Sequence, residues 1–99
     1  PGISTDVVFR ETVATVRASG LPDYQRHHVG HGLGLESHEY PTISATNNVT
    51  PEPGMVLCIE APYYRPGWGG VMTEDTLLVT DDGAESFTHL SRAPIIIAA

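Results

Sequence analysis

His27-His28-Val29-Gly30-His31-Gly32-Leu33-Gly34-Leu35-Glu36-Ser37-His38-Glu39 holds four of the chain's five histidines, three glycines and two glutamates. Imidazole and carboxylate are the usual ligands and proton carriers of catalytic metal sites. His27 and His31 are four apart, as in the helical HExxH pair of metalloproteases, but Gly30, Gly32 and Gly34 deny this stretch a helix. On a strand, positions four apart share a face. That reading places His27 and His31 in one cavity and turns His28 the other way, as a bystander. His31 and His38, in their glycine-laced setting, are the candidates for chemistry, and His89 reads as an ordinary surface or core histidine.

Two later acids complete the pattern. Glu60 closes the apolar run Val56-Leu57-Cys58-Ile59, and Glu74 precedes Asp75-Thr76-Leu77-Leu78-Val79. A carboxylate in such a run is costly unless paired or coordinated. Adjacent strands would bring the two acids side by side, where they repel unless a cation or a proton sits between them. Asp75 alternates to the opposite face and reads as a surface or structural acid.

Outward from these residues, Phe9, Thr12, Val13 and Val16 fall at helical spacing and predict a helix over residues 5–19. Ser4 or Thr5 caps it, Asp6 suits its positive end, and Gly20 followed by Pro22 ends it. Residues 24–29 read as a strand running into a glycine-rich turn, and 41–53 as a loop. Residues 55–61 form a strand that is apolar on both faces and so buried. Residues 63–70 read as an irregular connection and 71–80 as a strand. Asp81-Asp82-Gly83 is a turn, and residues 84–88 return antiparallel. One helix followed by hairpin-linked strands is an α+β pattern, not the βαβ alternation of a doubly wound sheet.

Composition narrows the function. The 99 residues make at most one domain, or a piece of one. A hydrophobic fraction of 40% with 17% charged residues builds a core and argues against disorder. The net charge of −7 argues against a nucleic-acid binder. Cys58 is the single cysteine, which excludes an intrachain disulfide and a thiolate zinc cluster and reads as a small buried core residue. No membrane-spanning run or signal peptide is visible, so a cytoplasmic protein with no membrane partner is expected. The opening Pro1-Gly2 is compatible with a fragment.

Four motifs in register resemble the pita-bread metallopeptidases, which include prolidase, aminopeptidase P and methionine aminopeptidase, with creatinase as a relative. They are His27-x-x-Gly30-His31-Gly32-Leu33-Gly34, His38-Glu39-x-Pro41, Gly54-Met55-Val56-x-x-Ile59-Glu60 and Gly70-Val71-x-x-Glu74-Asp75. The resemblance covers about residues 1–90. It implies that residues 1–99 are the C-terminal part of a pita-bread domain whose N-terminal half is absent. It also implies two divalent metal ions (manganese, cobalt, zinc or iron) in the parent protein. His31 resembles a metal ligand, Glu60 a terminal metal ligand and Glu74 the bridging carboxylate. His38 resembles the histidine that holds the scissile amide, and His27 a further active-site histidine. In such sites the metals deliver a hydroxide and Glu60 shuttles the proton, on a peptide bond that precedes proline.

Two departures stand out. The family draws two aspartates from the preceding half of its domain, and Asp6 matches neither, so the chain carries three of five ligands. Alone it is expected to be inactive and to hold at most one metal, weakly. Prolidase-type enzymes have an arginine where Met72 stands. That leaves open a creatinase-like hydrolase or lyase acting on a small amide, or a non-catalytic peptide- or protein-binding module. The missing half would cover apolar surface, so homo-oligomer formation is expected of the chain. In sedimentation velocity the isolated chain should self-associate with rising concentration. A strictly monomeric species at high concentration would contradict this.

Overall fold

A computed structural model describes residues 1–98. Helix α1 (Thr5–Ala18) is followed by strands β1 (His28–Gly32), β2 (Glu39–Ser44), β3 (Val56–Glu60), β4 (Tyr63–Arg65), β5 (Gly69–Val71), β6 (Glu74–Val79) and β7 (Ala84–Ser86). Five strands form one antiparallel sheet in the order β2-β1-β3-β6-β7, and β4 pairs with β5 in a separate hairpin. The α+β expectation therefore holds, with the helix first and an antiparallel sheet after it.

The helix starts differently from the expectation. Ser4 occupies the cap position, but its hydroxyl turns to the Asp6 carboxylate and caps no backbone N–H. That contact, and Arg10 after it, hold the Asp6 carboxyl below its usual value. Thr5 does not cap either: it is fully buried. Its hydroxyl donates to the Asn47 carbonyl and accepts from the Val49 amide at 3.2 Å, while its own amide donates to the Val49 carbonyl at 2.8 Å. The first residue of the helix thereby anchors the loop between β2 and β3. The helix ends at Ser19, and Gly20 follows with a φ of +114°, a conformation open to glycine.

The helix lies on one face of the sheet, against β2 and β1. Val13, Tyr24, Val29, Ile43, Leu57 and Val79 form the core, with Val8, Phe9 and Val16 packed against it. Val29 and Ile43 are 0% exposed, and full burial of such side chains is worth roughly 1.5–3 kcal/mol each.

Three segments depart from the sequence reading. The strand expected over 24–29 begins only at His28 and continues through Gly30-His31-Gly32. A side chain at Gly30 would meet the Cys58 carbonyl oxygen at 2.1 Å, and one at Gly32 the Tyr40 carbonyl oxygen at 2.4 Å. These glycines let flanking strands approach rather than end β1. Residues 39–44, of which 41–44 were expected in a loop, form β2. The connection expected at 63–70 is the β4–β5 hairpin, closed by the Trp68 amide donating to the Arg65 carbonyl at 3.0 Å.

Tyr24 is buried, and its hydroxyl has no hydrogen-bond partner among the described residues. A buried, unpaired hydroxyl stabilises nothing. Urea unfolding should therefore show Ile43→Ala losing about 2–5 kcal/mol, while Tyr24→Phe loses nothing. A large loss in Tyr24→Phe would mean that its hydroxyl is paired.

Candidate metal and active site

Register fixes which side chains share the face away from the helix. Across β3 and β6, Glu60 stands opposite Glu74, and Cys58 opposite Thr76. Across β1 and β3, His31 stands opposite Cys58. Cross-strand partners point to the same face, as do residues two apart. His31, Cys58, Glu60 and Glu74 therefore occupy one face. Gly30, Ile59 and Asp75 fall on the other, and Asp75 there pairs with Arg92.

The pair Glu60–Glu74 is the unusual element, because like charges directly opposite each other destabilise a sheet. Each carboxylate is held by a neighbour. The Cys58 thiol donates to Glu74 Oε1 at 2.7 Å. His28 Nε2 lies 3.2 Å from Glu60 Oε1, and the Glu60 side chain is 13% exposed. Burial, and then the Glu74 carboxylate, push the Cys58 thiol up to about 12. It is thus a protonated donor at neutral pH and not a competing thiolate.

His28 reaches this face through a bulge. On β2, His28 pairs with Ser44 and His31 with Thr42, so three steps along β1 match two along β2. The extra residue reverses the alternation between His28 and His31. The bystander reading of His28 is corrected: it shares a face with His31 and touches Glu60. His27 precedes the strand, exposed in a bend, where alternation does not reach it.

His31 is 8% exposed, and its Nδ1 lies 2.9 Å from the Gly32 carbonyl. A carbonyl only accepts, so Nδ1 carries the proton and Nε2 the lone pair that a metal uses. The His38 ring stacks on His31, with centroids 3.8 Å apart and planes at 26°. His38 sits on an exposed turn that Glu39 organises: the Glu39 carboxylate accepts from the Glu36 amide at 2.9 Å. His89 is exposed, as expected.

The structure thus brings together His31 with His38, Glu60 with Glu74, and His28 with Glu60. It does not close a metal cage: among the described residues no three histidine, cysteine or acidic side chains are grouped to hold an ion. The donor types suit a divalent cation, namely hard carboxylate oxygens and an imidazole with a free lone pair. They fit as part of a set, open on the side away from the helix. Beside Glu60 and Glu74, an open groove of about 940 Å³ runs along the helix side of the sheet, lined by Val8, Thr12 and Val16 of α1 with Ile59, Met72 and Arg92. No helix among the described residues is long and apolar enough to cross a membrane.

Cys58, His28 and Glu39 were not singled out as site residues from sequence. The one available signal was register, since Cys58 is two residues from Glu60 on the same strand. Cys58 is 1% exposed. Iodoacetamide should alkylate it at least about 100-fold more slowly in the native chain than in urea. Equal rates would place the thiol in solvent, away from Glu74.

Comparison with known proteins agrees with this fold. Residues 1–81 match the model of metallopeptidase family M24. An uncharacterized peptidase of Staphylococcus haemolyticus is 49% identical over 87 residues, covering 88% of this chain and 24% of that protein. An uncharacterized peptidase of Staphylococcus aureus is 41% identical over 92 residues, covering 93% and 26%. Among solved structures, the prolidase from Pyrococcus furiosus superposes with a TM-score of 0.83 at 39% identity, covering 93% of this chain and 27% of that one. The Xaa-Pro dipeptidase from Bacillus anthracis gives 0.86 at 35% identity, covering 97% and 27%. The chain spans about a quarter of the length of the curated relatives it matches. With four motifs in register, a facing carboxylate pair and a family match over most of its length, the chain belongs to metallopeptidase family M24, with the pita-bread fold of its structural relatives.

Proposed function

We propose that this chain is the C-terminal, metal-holding part of a dinuclear metallopeptidase that hydrolyses an Xaa-Pro peptide bond, as a dipeptidase or aminopeptidase. The observation that carries the reading is Glu60 facing Glu74 across β3 and β6, with His31 on the same sheet face. Glu60, Glu74 and His31 Nε2 would hold the metals, with further ligands from outside the chain. A bound divalent pair would supply Lewis acidity and lower the pKa of water.

The chain's own residues do the rest. Glu60, largely shielded from solvent and beside Glu74, would take and return a proton. His38, on its exposed turn and stacked on His31, would hydrogen-bond the substrate's scissile amide. His27, exposed just before β1, stands as a further contact on the substrate side. The metal is left as manganese, cobalt, zinc or iron, since carboxylate and imidazole accept each of these. The prolidase and Xaa-Pro dipeptidase relatives support the substrate class.

A second reading, a creatinase-like hydrolase or lyase, is favoured by Met72. This apolar side chain lines the groove beside both carboxylates, where the cationic lining group among the described residues, Arg92, is already paired with Asp75. Assays of the full-length protein with added manganese or cobalt separate the two. Xaa-Pro dipeptides should turn over and creatine should not, and Glu74→Gln should lower kcat by at least about 100-fold. Turnover of creatine alone would select the second reading. Unchanged turnover in Glu74→Gln would remove the metal bridge from the account.

A further inference from the structure

We propose that His28 is a positioning residue for Glu60, an inference that rests on the metal-site reading above. Alternation from His31 would turn this side chain to the helix side of the sheet. The bulge between His28 and His31 instead brings it to the carboxylate face. There Nε2 stands 3.2 Å from Glu60 Oε1, within hydrogen-bond reach.

Glu60 needs such a partner for a physical reason. Its carboxylate faces that of Glu74, and repulsion drives the two apart by rotation about their side-chain torsions. On Glu74, the Cys58 thiol occupies Oε1 and opposes that rotation. On Glu60, His28 Nε2 stands against Oε1 as a 3.2 Å ion-pair contact, without the aligned hydrogen bond that the thiol makes. Both contacts leave the Oε2 atoms for a cation. The His28 side chain is 38% exposed and that of Glu60 13%, so the contact lies at the rim, open to solvent on the His28 side. Partners of this kind fix ligand orientation, and their loss typically weakens metal binding about 10–100-fold.

The test is calorimetric titration of manganese(II) into the metal-free full-length protein and three variants, with thermal unfolding of each metal-free form. His28→Leu should weaken binding about tenfold. His28→Gln, which keeps an N–H at similar reach, should stay within about threefold of wild type. Unfolding midpoints of the metal-free forms should coincide, which a purely structural role for His28 would not allow. Should His28→Leu fail to fold, His28→Asn, whose shorter amide does not reach Glu60, takes its place with the same expected loss. Wild-type affinity in His28→Leu, or equal weakness in His28→Gln and His28→Leu, overturns the inference. Glu60→Gln is the control. If it binds manganese as wild type does, the metal-site reading falls and the inference with it. If it binds weakly while His28→Leu does not, only the inference falls.

Discussion

Two carboxylates face each other across adjacent strands, and the surroundings answer that repulsion. Glu60 and Glu74 are register partners at the end of the β3–β6 ladder. A sheet does not place like charges opposite each other without compensation. Here it comes from a histidine on one side and a thiol on the other. One more backbone hydrogen bond lies beyond the pair, from the Ala61 amide to the Thr73 carbonyl at 2.9 Å, so the backbone holds the two acids together. An arrangement that stores repulsion and leaves an oxygen free on each acid is suited to a cation.

The rest of the fold serves that pair. The helix, Val29 and Ile43 build a core on one face of the sheet and leave the other face for chemistry. Gly30 and Gly32 have no side chain because the carbonyls of β3 and β2 stand where a Cβ would go. Close strand packing keeps His31 near Cys58 and, through it, near the acids. Thr5 ties the start of the helix to the β2–β3 loop, which links the two layers at one end.

Much of this was legible in the sequence, for reasons that differ by residue. The helix followed from the apolar spacing of Phe9, Val13 and Val16. β3 and β6 followed from their apolar runs, and Glu60 and Glu74 stood out because a carboxylate there demands a partner. What could not be read was parity. A bulge adds one residue without a compositional mark, and it moved His28 from the wrong face to the right one. The glycines misled in the same way: they signal a turn by propensity, yet here they answer to strands that only the folded sheet brings close. Cys58 acts through a cross-strand contact set by register, which composition does not encode, and Glu39 through a local turn contact with the Glu36 amide.

A crystal structure of the full-length protein soaked in manganese, with anomalous scattering, addresses the account most directly. It should show metal within about 2.0–2.3 Å of carboxylate oxygens from both Glu60 and Glu74, with a further ligand bond from His31 Nε2. Metal bound elsewhere, or a Glu60–Glu74 pair that shares no metal at full occupancy, would contradict it.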